Sequence, residues 1–200
     1  MFKPASMLTQ ADKTGDVSLF DEVKQYLKEK YKKPGNVFLG LLHRLDRPVS
    51  GIVLFAKTSK GASRLSEQFR NHTIQKIYHA IVVGKPKKGR GILINSLQKN
   101  ETEKSKIAEL AYEVLESNGE YSLLKITPKT GRFHQIRIQL EKLGNPILRL
   151  PDRSIALCAT RLSFQLATKP ETKTISIPLP KEWQKYLTGV ASYSINKLAS

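Results

Sequence analysis

The segment His43-Arg44-Leu45-Asp46-Arg47 sets one carboxylate between two guanidiniums. Neighbouring cations favour the charged form of Asp46. An ionised carboxylate at a loop tip is suited to act as a nucleophile or base. Pro48-Val49-Ser50-Gly51 follows as a turn, and residues 52–56 are fully apolar, so the loop is expected to be anchored by a buried strand. The same residues also fit a surface ion-pair cluster on an ordinary turn. A second group lies far downstream: Thr130-Gly131-Arg132-Phe133-His134-Gln135-Ile136-Arg137. It reads as the opening of a helix whose free N–H groups suit an anion, with Arg132 adding a guanidinium there. Arg137 sits one turn further in and, taken alone, reads as a solvated basic residue.

The elements that must position these groups follow from periodicity. Residues 1–15 are polar and read as a lead-in loop. Ser18-x-x-Asp21 resembles a capping box, and Leu19, Phe20, Val23, Leu27 and Tyr31 recur at helical spacing until Pro34-Gly35. Ser59 is the expected cap of a second helix with Ala62, Leu65 and Phe69 on its inner face. Residues 74–84 are rich in β-branched and aromatic side chains and predict a strand. A basic turn at 85–91 leads to a strand near 92–97, and the charged segment 98–106 is the expected mobile stretch. Strands at 110–115 and 121–126 flank Asn118-Gly119, a hairpin signal; a helix over 104–117 is the rival, since Ala, Glu and Leu favour helix. A helix opens at Thr130 and closes at Gly144. Strands are expected over 155–166 and 174–177, then a short helix at 180–187 carrying Trp183. The tail from Gly189 has no period and is expected to be flexible. The pattern gives an α+β fold: one domain over residues 1–200, built on a mostly antiparallel mixed β-sheet with flanking helices.

Two hundred residues with 40% hydrophobic content suffice for a real core. The net charge of +17, from 34 basic and 17 acidic residues, favours a polyanionic partner, nucleic acid first. A membrane surface is the competitor, but no helix sets a basic face against a strong Trp/Phe/Leu face. No stretch approaches bilayer-spanning length, and no apolar leader opens the chain, so a cytoplasmic protein is expected. Cys158, the single cysteine, lies in an apolar run and reads as a packed thiol rather than a reactive one. The four histidines lack ligand spacing; no metal or cofactor is expected, and His43 and His134 read as structural hydrogen-bonders.

Taken together, three separated motifs resemble the RluA-type pseudouridine synthases. They are His43-Arg44-Leu45-Asp46 with Ser50-Gly51 and Ala56; Lys76-x-Tyr78-x-Ala80; and Thr130-Gly131-Arg132-x-His134-Gln135-Ile136-Arg137 with Gly144-x-Pro146-Ile147. The resemblance spans about residues 2–180 and implies isomerisation of uridine to pseudouridine in rRNA or tRNA, on a flipped-out base. It assigns Asp46 as the catalytic nucleophile, by covalent addition or through a glycal. It assigns Tyr78 as the active-site tyrosine against the base and Arg137 as the partner of the aspartate. Arg44 becomes the residue that fills the space of the flipped base, with Lys76, Arg132 and the 85–90 turn as phosphate contacts. RNA is the implied partner, without a membrane, an obligatory protein partner or a second copy of the chain.

The sequence also departs from that pattern. The family's hydrophobic strand ahead of a Lys-Pro-Ala-Gly loop is missing or starts late here, since Phe2-Lys3-Pro4-Ala5-Ser6 comes at once and Ser6 replaces Gly. Residues 148–153 are shorter than the family's segment, and no S4-type RNA-binding domain is read in the chain. These departures keep open a catalytically inactive RNA-binding relative or chaperone. A basic structural protein without a site would require Asp46 and Arg137 to lie far apart.

Overall fold

The structure is a computed structural model and describes residues 1–100 and 102–187. In chain order the elements are β1 (Phe2–Lys3), α1 (Leu19–Lys30), β2 (Gly40–Leu41), β3 (Ser50–Ile52), β4 (Phe55–Ala56) and α2 (Ser59–Arg70). Then come β5 (Gln75–Val83), β6 (Arg90–Leu97), β7 (Lys106–Ser117), β8 (Tyr121–Pro128) and α3 (Gln135–Lys142). The described chain ends with β9 (Leu157–Gln165), β10 (Thr172–Ser176) and a short 3-10 helix (Lys181–Tyr186). Among the described residues, eight strands form one sheet in the order β1-β3-β9-β5-β8-β7-β6, with β10 also on β9. Every pairing in it is antiparallel except β3 with β9. This is the expected α+β architecture.

Local chemistry explains most boundaries. Ser18 caps α1 through a complete capping box with Asp21, and Leu19, Val23 and Leu27 turn inward to the main core. At the β7–β8 hairpin, Asn118 Oδ1 accepts from the N–H groups of Glu120 and Tyr121, and Gly119 takes φ +92°. The rival helix over 104–117 is therefore not formed. Trp183, 2% exposed, roots the 3-10 helix in the core. A smaller cluster of Ile52, Ala56, Leu65, Ile74, Leu162 and Phe164 lies beneath α2. Cys158 is fully buried, and burial pushes its thiol up to about 11, so it stays an unreactive packing group.

Several expectations need correction. The apolar run 52–56 is not one strand, because it breaks between β3 and β4. There the Leu54 N–H donates to His43 Nε2 at 3.0 Å, while β4 leaves the main sheet to pair with β2. The lead-in segment is not all loop: Phe2 and Lys3 pair with Ile52 and Gly51. Thr58, not Ser59, caps α2. The helix expected from Thr130 begins at Gln135, with His134 at φ +49° before it and no side-chain cap. The tail from Gly189 lies outside the described residues.

Two histidines make stability depend on pH. His79 is 3% exposed, and Thr160 Oγ1 lies 2.7 Å from its Nδ1 while donating to Ile77 O. Nδ1 therefore carries the proton, and Nε2 is a buried lone pair without a partner. Burial first, then neighbouring cations, push His79 and His43 down to about 4. Between pH 6.5 and about 4 the unfolded chain takes up protons that the folded chain refuses. Stability is thus lost as pH falls through that window. Calorimetry should show Tm declining there, with a shallower decline in His79→Gln; identical slopes would contradict the assignment.

Candidate active site

The Asp46 loop is splinted by the N-terminal segment. On one side, Thr9 Oγ1 donates to Leu45 O at 2.7 Å and accepts from Leu45 N–H at 3.1 Å. On the other, the fully buried Lys3 ammonium donates to the carbonyls of Pro4, Met7 and Arg47 at 3.0, 2.7 and 3.2 Å. Burial pulls Lys3 down to about 8, opposed by the Asp46 charge and reinforced by Arg47. Gly51 stands at φ +130°, and a Cβ there would meet the Ala159 backbone at 2.5 Å, so only glycine lets β3 reach β9. Ser6 also takes a left-handed conformation, φ +66°, where glycine would be relaxed. Replacing Lys3 by Met leaves three carbonyls without their donor. Thermal unfolding should register a loss of about 1–3 kcal/mol; an unchanged Tm would show that the splint is dispensable.

The cation arrangement around Asp46 differs from the expected one. Arg47 faces away, bridging to Asp16 at 2.7 Å and donating to Ser6 O. Arg137 forms no ion pair with Asp46 within 4.0 Å; instead His134 Nε2 lies 3.6 Å from Asp46 Oδ2. His134 is therefore not the structural hydrogen-bonder expected. Its left-handed backbone, which the sequence does not advertise, turns the ring toward the carboxylate. Burial lowers its pKa, the Asp46 charge opposes this, and Arg137 adds to it. Arg44 is exposed and, among the described residues, unpaired.

The loop ahead of α3 is braced on β7. Thr130 Oγ1 donates to Gln135 Oε1 at 2.7 Å and accepts from Glu109 N–H at 2.9 Å. Gln135 Oε1 also accepts the Arg132 N–H at 3.0 Å, while Gln135 Nε2 donates to Glu109 O. The Arg132 amide is thus occupied, and its Nε donates to Ile107 O at 3.0 Å. The anion site expected at a helix start is not built there. Gln139, buried one turn further on, donates to Leu93 O and Asn95 Oδ1 and fixes α3 to β6.

Tyr78 comes from the centre of the sheet. It pairs with Ile126 of β8 and Ala159 of β9, beside a register shift at which Thr160 is the extra residue. Such a bulge re-aims neighbouring side chains. Tyr78 is half-buried, and burial first, the Asp46 charge second, keep its phenol protonated well above its ordinary value. Lys76, two residues earlier on the same face of β5, is lowered by burial.

All six residues singled out in the sequence, Asp46, Tyr78, Arg137, Arg44, Lys76 and Arg132, line one cavity of about 540 Å³. Lys99, His72, Phe69, Phe133 and His134 join them. Asp46 is the one carboxylate in that described lining, against five Lys and Arg side chains. The 85–90 turn lies elsewhere, beyond the Val83 end of β5 and roughly 16 Å along the strand from Tyr78. The 148–153 segment is closed by Asp152 Oδ1, which accepts from the Ser154 N–H and hydroxyl; the Ile155 N–H then donates to Pro48 O, next to the Asp46 loop. Among the described residues no cluster of ligating side chains could hold a metal, and no helix is long and apolar enough to cross a membrane.

Comparison with known proteins gives the class. The family model described as RNA pseudouridylate synthase matches residues 1–142, and the chain belongs to that family, on its RluA-type branch. Among its relatives, ribosomal large subunit pseudouridine synthase C of Vibrio parahaemolyticus is 32% identical over 180 residues, covering 79% of this chain and 57% of the relative. The protein of the same name from Rickettsia conorii is 33% identical over 157 residues, covering 73% and 50%. The chain thus spans about half the length of these curated relatives. Human RNA pseudouridylate synthase domain containing 4 shares the fold, with a TM-score of 0.76 at 21% identity over 92% of this chain and 85% of that one.

Proposed function

We propose that the chain isomerises uridine to pseudouridine within RNA, using Asp46 on a base turned out of its stack. The observation that carries this reading is a single carboxylate in a cavity whose described lining also holds Arg44, Lys76, Lys99, Arg132 and Arg137. Breaking the N1–C1′ bond leaves positive character at the ribose, which a carboxylate can stabilise or trap. A hydrolase needs a second acid to activate water; an isomerase rejoins the same base to the same sugar and does not. The base turns, C5 bonds to C1′, the C5 hydrogen leaves as a proton, and N1 gains one.

The remaining groups take supporting roles. The Tyr78 ring offers a face for the turning base, and its phenol, held protonated, can donate. His134 meets the Asp46 carboxylate, and Arg137 adds a cation to the same cavity. Arg44, exposed and unpaired among the described residues, is available to enter the gap left by the everted base. Lys76 and Arg132 meet phosphates or the base edge. The names of the relatives point to large-subunit ribosomal RNA as the substrate class, and we place the reaction in the cytoplasm.

The test is tritium release from cellular RNA labelled at uridine C5. The wild-type protein should release tritium in step with pseudouridine formed. Absence of release from total RNA, with folded protein, would sink the reading.

A further inference from the structure

Phe133 is 49% exposed and lines the cavity, yet it is no stray surface residue. Its ring stacks on His134, with centroids 3.7 Å apart and planes 24° from parallel. His134 in turn meets Asp46 at 3.6 Å. One face of Phe133 is therefore taken by the ring that contacts the carboxylate, and the other is open. The loop carrying it is fixed by the bonds of Thr130, Arg132 and Gln135 to each other and to Glu109, so the ring is held in place without a ligand. An apolar ring kept bare at the rim of a cationic cavity needs a planar apolar partner whose flanks carry negative charge. A nucleobase between two phosphates has both properties. An apolar peptide would leave Arg132, on the same lining, without counter-charge.

We propose that the open face of Phe133 stacks the base of a nucleotide adjacent to the everted uridine, making Phe133 an RNA-positioning residue outside the reaction itself. A base there sits beside the seat above Asp46, not within it, because His134 occupies the inner face. Stacking is tolerant of base identity, so the subsite fixes the register of the strand on the cavity rather than reading its sequence. The inference rests on the RNA reading of the cavity.

The experiment uses anisotropy of a short fluorescein-labelled RNA strand with a central uridine, and a matching strand with abasic sites on both sides of it. Phe133→Ala should weaken binding of the base-bearing strand about tenfold, and Phe133→Trp should restore it. Phe133→Leu, which keeps apolar bulk without a flat face, should behave as Ala. The abasic strand should bind wild type and Phe133→Ala alike. Unchanged affinity in Phe133→Ala, or equal weakening for both strands, would overturn the proposal. The readout is binding, so protein that binds through Phe133 yet releases no tritium would refute the isomerase reading and leave this one standing.

Discussion

Asp46→Asn should lower tritium release by about 10⁴-fold or more while the variant still folds and holds RNA. Asn matches Asp in size, so the turn closed by Val49 N–H to Asp46 O and the Leu45–Thr9 pair should persist. What disappears is the negative charge that meets the developing cation at the ribose. Neither His134 nor Arg137 can replace it, since neither side chain carries a negative charge. RNA affinity should hold or rise slightly, because the change removes the carboxylate that opposes phosphate in the described lining. Rate constants within tenfold of wild type would mean that the carboxylate is not the reacting group.

Tyr78→Phe should lower kcat by about 10²-fold or more and leave KM nearly unchanged. The ring that faces the base is retained, so stacking survives. The hydroxyl is lost, and with it a donor that burial and the Asp46 charge keep protonated. Tyr78→Ala should raise KM as well, because the stacking face goes too. Equal rates for Tyr78→Phe and wild type would reduce Tyr78 to a packing residue. A matched rise of KM in both variants would show that the hydroxyl serves binding rather than the chemical step.

Legibility in the sequence tracked how local each signal was. The capping box at Ser18 and the Asn118-Gly119 hairpin depend on residues a few positions apart, and both formed where expected. The membership of the cavity was also legible, since three motifs carry its six proposed residues. The break in residues 52–56 was not, because it is made by His43 reaching Leu54 and by Met1 pairing with Val53, contacts set by the fold. The start of α3 was misplaced for a similar reason: Gln135 draws the preceding loop into side-chain bonds instead of helical ones. The substitution of His134 for Arg137 beside Asp46 depends on one left-handed residue, which composition does not reveal. Lys3 and Thr9 were read as part of a polar loop. Their burial beneath the Asp46 loop emerges only when residues some forty positions apart meet.

Asp46, Tyr78 and Arg137 share one cavity, and that placement removes the reading as a basic protein without a site. The decisive measurement is pseudouridine mapping of ribosomal and transfer RNA from cells that lack this gene and carry either wild type or Asp46→Asn. At least one uridine should be converted with wild type and left unmodified with Asp46→Asn. A map that is the same with and without the gene, or one restored by Asp46→Asn, would contradict the isomerase reading.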